Sequence, residues 1–596
     1  MLFPSVRRKG IFFSERTFTM EKWVVSAKRA DFQAIAEKFG IDQVTARLIR
    51  NRDIVGEPEI RQYLYGTKED FYDPHLLKDA DKLVSVLRQK IQERKKIRII
   101  GDYDIDGVSA SYILLKGLRR CHANVDVEIP DRMKDGYGIN EHLIRYAYEE
   151  DVDTILTCDN GIAAIEQTKL AKTLGMTILI TDHHEVQEEV PLADAVVNPR
   201  QADCPYPFKH LCGAAVAYKV ICCLYEAFGI PAEEAEEFLE AAGFATVGDV
   251  MELVGENRIL VKEGLKRLNR TQNVGMAALI RACKLEEMEL KAYHIGFVLG
   301  PCINAGGRLD TARRSLNLLL QEEKAKADLM ALKLKELNDE RKDMTQKGTE
   351  EAIAWIEKEG RSSDKVLVVY LSDCHESLAG IIAGRIRERY NKPVFVLTDS
   401  ADGVKGSGRS IEAYSMFEEM SKCKELYTKY GGHPMAAGLS LPPENVEKFR
   451  IFLNEHTTLT EEDFIPKITI DVPMPIGYIT EKLIGELSVL EPFGKGNEKP
   501  LFAEKNLSIL NMKILGRNRN VLKMQVRSQS GTVMDALYFG DLEQILDYIR
   551  EKFGETEYEK CFQGRQNAVV LSVIYYPSLN EYQGRTSIQI IVSHYC

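Results

Sequence analysis

The chain alternates short, β-branched apolar runs with stretches of helical period. Five such runs, at 97–100, 125–129, 154–157, 177–180 and 195–197, are separated mostly by amphipathic stretches. Alternation at this spacing predicts a mostly parallel sheet with helices on both faces. Ahead of it, 21–25 reads as a short strand, and 31–39 and 79–94 read as helices. Residues 1–19 follow neither period; they are expected to be dispensable, with Met20 an alternative start. From Leu316 to Glu359 there is no proline, one glycine and a dense mix of Glu, Lys, Leu and Ala. That charge run reads as the solvated face of a long connecting helix. A second α/β unit spans 366–452. Beyond Thr460 the runs at 468–472, 507–514, 521–526, 532–539, 568–576 and 587–592, with one helix at 541–551, predict a small barrel of OB type. The expected fold is therefore α/β. It has an N-terminal region (20–78), a parallel-sheet domain (79–315), a connecting helix (316–360), a second α/β domain (361–458) and a C-terminal barrel (459–596).

Composition narrows the class. A hydrophobic share of 44% with 28% charged residues excludes disordered, collagen-like and coiled-coil chains. No run approaches the ~18 apolar residues of a membrane span, and no apolar stretch near the N-terminus suits a signal peptide. Twelve cysteines without a CxxC pair argue against a zinc ribbon or a disulfide frame. The expected setting is a reducing, cytoplasmic one. The net charge of -11 disfavours binding nucleic acid by bulk charge but leaves room for a local basic groove.

The chemistry concentrates where strands of the first sheet end. Gly101-Asp102-Tyr103-Asp104-Ile105-Asp106-Gly107, Cys158-Asp159-Asn160-Gly161 and Thr181-Asp182-His183-His184 each follow a predicted strand. In open α/β sheets the carboxyl ends of the strands line the ligand crevice. A lone DxD in such a turn is usually a helix cap, and a lone His pair is usually structural. Three acidic turns at one sheet edge are different, because carboxylates so close repel one another unless a cation neutralises them. Oxygen-rich ligands with one or two imidazoles suit Mg²⁺ or Mn²⁺, and a pair of such ions suits phosphoryl chemistry.

These motifs resemble the DHH phosphoesterase superfamily, and within it the single-stranded-DNA-specific 5′→3′ exonucleases built from DHH, DHHA1 and OB domains. Thr246-Val247-Gly248-Asp249, Leu299 to Leu309, Gly431 to Gly438 and Glu491-Pro492-Phe493-Gly494-Lys495-Gly496-Asn497 agree with further motifs of that branch. Cys302 and Ile303 are mild departures. The resemblance implies two divalent ions, Mn²⁺ or Mg²⁺, held by Asp104, Asp106, Asp159, His183 and Asp249, with Asp159 bridging. Asp102 is implied either as a further ligand or as a residue that orients one. His184 would stabilise charge at the scissile phosphate, with Asp182 orienting a histidine. Hydrolysis by water without a covalent enzyme intermediate follows from the same likeness. Arg132, Asn304, Arg308, Ser407, Arg409, Gly432 and His433 are implied substrate contacts around a terminal phosphate. In Gly406-Ser407-Gly408-Arg409-Ser410 the glycines read as allowing close backbone approach, and the arginine suits a bidentate grip. Gly431-Gly432 alone would read as a helix stop after Tyr430.

The barrel region adds a basic ribbon. Lys513, Arg517, Arg519, Lys523 and Arg527 fall in 511–530, which has no acid, a pattern suited to tracking a single-strand backbone. Tyr575, Tyr576 and Phe539 are equally consistent with base stacking and with core. Two other readings are weighed: a phosphodiesterase of short oligonucleotides or cyclic dinucleotides, and a non-catalytic replication scaffold. Expected partners are single-stranded DNA, with a helicase and a single-strand-binding protein as further candidates; no membrane and a monomeric state are expected.

Overall fold

The structure, a computed structural model, describes residues 21–132, 135–136, 138–400, 403–582 and 584–596. The expected extension 1–19 lies outside them. The described residues form two compact units. The larger runs from Tyr65 to Phe464 and takes in Pro492–Asn497; the smaller holds the residues up to Leu64, Ile465–Glu491 and Glu498–Cys596. The division therefore differs from the expected one. Residues before Leu64 belong with the barrel, because Lys22–Val25 pairs in parallel with Lys467–Ile470.

In the larger unit all five strands expected at the start are present. They form a wholly parallel sheet in the order Asn124–Glu128, Lys96–Ile100, Thr154–Cys158, Thr177–Thr181, Ala195–Val197. Ile97, Ile99, Leu156 and Leu179 join one core, and Ile100, Ile155, Ile178 and Ile180 join another with Leu143 and Ile144. Burial on both faces is why the strands Thr154–Cys158 and Thr177–Thr181 read as near-continuous apolar runs, whereas the edge strand Asn124–Glu128 alternates.

Helix α1 (Ile105–Arg120) leaves the first strand through Asp104, whose carboxylate accepts from the amides of Asp106 and Gly107 at 2.9 and 3.1 Å. It is buried along most of its length against α2 (Gly213–Phe228). Helices α3 (Leu239–Gly248) and α4 (Gly255–Leu268) cross at Gly243 and Gly264, where an added Cβ would fall 2.7–2.9 Å from the facing backbone. A buried ion pair, Lys219–Glu256 at 2.6 Å, fastens α2 to α4. Glu256 also accepts from the Tyr206 hydroxyl (2.7 Å) and the Tyr72 amide (3.1 Å).

After α5 (Gly300–Leu309) the expected single long helix is interrupted. A short helix, Arg313–Leu319, ends before α6 (Lys324–Lys358) begins, and the Gln321 side chain accepts from the amides of Glu322 and Glu323 between them. Helix α7 (Glu376–Tyr390) packs on a five-stranded sheet ordered Lys429–His433, Ala436–Leu441, Gly403–Arg409, Val394–Ser400, Leu367–Tyr370. Gly431 and Gly432 thus lie in a strand, not at a helix stop.

In the smaller unit Phe502–Leu515, Val521–Arg527, Val533–Tyr538, Arg585–Tyr595 and Val570–Tyr582 pair in that order. The last strand returns to the first. This closed five-stranded circuit is the OB arrangement. Three helices accompany it rather than the one expected: Glu481–Val489, Leu542–Phe553 and Glu555–Gln563. The last was hidden because it is mostly polar and buries only Cys561. Tyr575 is core, its hydroxyl donating to the Met474 carbonyl at 2.6 Å, whereas Phe539 is exposed.

The Lys219–Glu256 pair gives a stability test. Lys219→Met leaves Glu256 buried without its cation and should destabilise the larger unit by about 3–5 kcal/mol, whereas Lys219→Met/Glu256→Met should cost less. Urea unfolding followed by far-ultraviolet circular dichroism would measure both. A double variant less stable than the single one would contradict the assignment.

Candidate active site

The three acidic turns converge at the carboxyl ends of the first sheet. Donor atoms of Asp102, Asp104 and Asp159 lie within 4.8 Å of one another, as do those of Asp106, His183 and Asp249, and those of Asp159, His183 and His184. Asp159 and His183 each belong to two of the groups. His183 Nε2 is 3.0 Å from Asp159 Oδ1, 3.5 Å from Asp106 Oδ2 and 3.8 Å from Asp249 Oδ2. All six residues expected to hold metal are brought together. Asp102 has a donor atom inside the cluster, which favours its reading as a ligand.

Local backbone chemistry builds this cluster. Both oxygens of Asp106 accept amides at the start of α2, Gly213 N at 2.6 Å and Ala214 N at 2.8 Å. Gly107 has no room for a side chain, because a Cβ there would strike the Asp102 backbone. Asp159 has a φ of 60°, and Val250, next to Asp249, a φ of 56°. Left-handed backbone at a β-branched residue is an outlier, and such strain gathers at functional sites.

Electrostatics shows what the cluster lacks. Burial, and then the charge of its neighbours, raises the pKa values of Asp102, Asp104 and Asp159 above the usual carboxylate range. The same causes push Asp249 up to about 8. Asp102 Oδ1 and His183 Nδ1 are buried without a hydrogen-bond partner among the described residues. Carboxylates and a neutral imidazole so arranged fit divalent cations, which would relieve the repulsion.

Asp182 serves His184, as expected. Its Oδ1 accepts from the His183 and His184 amides and lies 2.8 Å from His184 Nδ1, while Oδ2 accepts from Ile162 N. Burial opposes a charged His184, yet the Asp182 bond and nearby carboxylates raise its pKa to about 9. The imidazole is 44% exposed, so it presents positive charge at the open side of the cluster.

A second feature is a cavity of ≈ 310 Å³ lined in part by Arg132, Lys405, Ser407 and Lys429. Arg132 stacks over the Tyr103 ring at 4.9 Å. Arg308 donates to the Ser377 carbonyl at the start of α7 (2.7 Å), and burial followed by Arg132 and Arg341 lowers its pKa to about 10. The Arg409 guanidinium lies against Gly380 of α7 and donates to the Gly408 carbonyl at 2.7 Å. Lys405, Ser407 and Arg409 share one strand face by period-two alternation.

Some expected contacts are placed differently. Gly406 and Gly408 face the opposite side, where a Cβ would collide with Leu397 or with Met416 and Phe395, so they are packing glycines rather than an approach for substrate. Asn304 Oδ1 accepts the Ile105 amide at 2.8 Å, pinning the start of α1. Gly432 and His433 lie exposed on the hairpin, in register with Gly408 through Ala437 and with Arg409 through Ala436 respectively, but outside the cavity lining. Lys405 and Lys429 were missed. For Lys405 the alternating Lys-x-Ser-x-Arg pattern was the available signal. Lys495 was also missed. Its carbonyl accepts the Leu253 amide at 2.7 Å, and its charge partly offsets the raised pKa of Asp249.

Family models match three segments: the DHH family N-terminal domain at 96–246, the DHHA1 domain at 363–457 and the RecJ OB domain at 470–594. The single-stranded-DNA-specific exonuclease RecJ of Escherichia coli is 30% identical over 546 residues, covering 87% of this chain and 90% of the relative. The chain belongs to the RecJ family. RecJ of Bacillus subtilis is 36% identical over 530 residues, and that match spans 66% of the relative's length. The solved RecJ of Thermus thermophilus in complex with Mn²⁺ has a TM-score of 0.79 and 25% identity, covering 96% of this chain and 79% of that one. The RecJ likeness therefore extends over the metal cluster, the second α/β sheet and the barrel.

Relief of carboxylate repulsion is measurable. Without divalent ions, Asp159→Asn should melt at or above the wild-type temperature, since one like charge is gone and Asn tolerates positive φ. At a hundredfold excess of Mn²⁺ over its dissociation constant the wild type should gain about 2.7 kcal/mol for each ion bound and the variant nearly none. Thermal melts with EDTA and with Mn²⁺ decide this. A variant that keeps the wild-type gain would show that Asp159 holds no ion.

Proposed function

We propose that the protein is a metal-dependent exonuclease that degrades single-stranded DNA from its 5′ end to 5′-mononucleotides in DNA repair and recombination. The observation that carries this reading is the clustering of Asp102, Asp104, Asp106, Asp159, His183 and Asp249, whose donor atoms are placed to hold metal ions. Membership of the RecJ family supports the substrate class. The full ligand set speaks against a non-catalytic scaffold, and the RecJ OB domain speaks against an enzyme confined to dinucleotides. No described helix is long and apolar enough to cross a membrane. The twelve free cysteines support a cytoplasmic setting. Single-stranded DNA is the proposed partner; a helicase, a single-strand-binding protein and a monomeric state remain part of the proposal.

Two bound divalent ions would supply an activated water and neutralise charge on the phosphate. The chain's own residues do the rest. Asp182 holds His184 in one orientation, and the cationic imidazole stabilises charge that develops on the phosphate. Arg308 and Arg409 contact the first turns of α7, and Ser407 lies on the same strand face as Arg409. Together these groups suit a terminal phosphate, which carries one more charge than an internal one. Arg132 and Lys405 line the cavity beside them.

On the barrel, Lys513 and Lys523 are cross-strand partners on the outer face, and Arg517 and Arg519 occupy the turn between their strands. Lys523 is paired with Asp535 at 2.6 Å, an acid supplied by the neighbouring strand, so it contributes less than its position in a segment without acids suggested. The first loop of an OB barrel commonly carries nucleic-acid contacts, which supports a role for Arg517 and Arg519.

Two experiments test these roles. Arg409→Ala should lose most of the preference for a 5′-phosphate over a 5′-hydroxyl end, about ten- to hundredfold in subsaturating initial rate. An unchanged ratio would show that Arg409 does not read the end. Charge reversal of Arg517 and Arg519 should weaken strand binding and flatten its salt dependence by about 0.7 per lost phosphate contact. An unaltered slope in a fluorescence-anisotropy salt series would place the turn outside the DNA path.

A further inference from the structure

A larger cavity, ≈ 770 Å³, opens among α1, α3 and α4 and is lined by none of the residues assigned above. That size falls within the range of small-molecule sites. Its floor is apolar and aromatic: Tyr112 and Phe244 are both buried. The Tyr112 hydroxyl is held by Asn273 Nδ2 at 3.0 Å, and the same amide donates to the Leu319 carbonyl at 2.8 Å. Three segments distant in sequence are thus locked around one ring, so the cavity is preformed.

Its wall is cationic. Lys116 Nζ lies 5.6 Å over the Tyr112 ring and pairs with Glu237 at 2.8 Å. Arg119 and Arg270 are exposed lining residues with no ion pair among the described residues. Their neighbours Lys266 and Arg267 are, by contrast, both bonded to Glu263. Within the cavity Glu240 presents a carboxylate, one oxygen of which accepts from Thr271 Oγ1 at 2.8 Å. Burial pushes its pKa up to about 7, so it is held ready to share a proton with a polar ligand edge.

We propose that this cavity binds a nucleoside phosphate, with the base against Tyr112 and Phe244 and the phosphate at Arg119 and Arg270. An aromatic floor takes a flat base, unpaired guanidinium forks take phosphate oxygens, and a carboxyl such as Glu240 offers hydrogen bonds to base edges. An apolar ligand would leave the arginines unused, and a bare anion would leave the floor unused. The placement also has a consequence for catalysis. Helix α1 begins at Asp104 and Asp106 and carries Tyr112 and Arg119 further along; α3 carries Glu240 and Phe244 and ends at Asp249. A ligand here contacts two of the helices that hold the metal cluster.

Two sources share this chemistry: the deoxynucleoside monophosphate that the proposed reaction releases, and free nucleoside triphosphate. Isothermal titration of the full chain in EDTA with dAMP and with ATP would separate them, with inorganic phosphate and deoxyadenosine as controls. One nucleotide is expected to bind saturably in the wild type and in Arg409→Ala, which alters only the proposed end-phosphate site on the second sheet. Arg119→Glu/Arg270→Glu should weaken that binding by about tenfold or more. Its melting temperature should be unchanged, and its rate on saturating single-stranded DNA within about twofold of wild type. Tighter dAMP identifies the released product as ligand, and tighter ATP the free nucleotide. Binding that survives the double variant, phosphate that binds as well as either nucleotide, or no binding at about 1 mM would each overturn the proposal.

Discussion

Mutual repulsion among buried carboxylates is the constraint on which the rest of the structure depends. Asp102, Asp104 and Asp106 from one turn meet Asp159 and Asp249 from two other places in the chain. Nothing in their packing alone favours that meeting, since burial and neighbouring charge raise the pKa values of Asp102, Asp104, Asp159 and Asp249. The fold imposes it. Parallel strands deliver the turns, α1 and α2 offer their amino ends to Asp104 and Asp106, and glycine at 107 lets the first turn close. The stability to hold such a cluster comes from elsewhere, from apolar cores on both sheet faces and from locked contacts such as Lys219–Glu256. Strained backbone at Asp159 and Val250 belongs to the same pattern, in which local cost is tolerated where chemistry is done.

The three acidic turns were legible in the sequence because each follows a short apolar strand, whereas Asp249 closes helix α3 and was reached, like the individual ligand roles, only through the family resemblance. Asp182 and His184 follow the strand Thr177–Thr181, and the resemblance supplied the orienting role of Asp182. Less could be read where one strand face differs from the other. In Gly406-Ser407-Gly408-Arg409 the functional and packing residues alternate, and only the positions of Leu397, Phe395 and Met416 reveal that the glycines serve the core. Lys523 looked free because its acid, Asp535, lies on the next strand rather than in its own segment. Asn304, expected at substrate, also accepts the first amide of a helix far earlier in the chain. Long-range pairing leaves no local signal, and these differences share that cause.

The same limit applies to the domain plan. Hydrophobic period located the strands, yet it did not show that Lys22–Val25 pairs with Lys467–Ile470, or that Pro492–Asn497 belongs with the larger unit. That segment brings Lys495 near Asp249, so a loop expected to introduce the barrel takes part in the electrostatics of the cluster.

The central claim is that this cluster hydrolyses phosphodiesters only when two divalent ions screen its carboxylates. The most direct test titrates metal-free protein with Mn²⁺, counting bound ions by electron paramagnetic resonance while mononucleotide release from 5′-labelled single-stranded DNA is followed in parallel. The account predicts two ions per chain at the cluster and activity that appears as the second binds. Full activity in the metal-free protein, or with one ion bound, would contradict it.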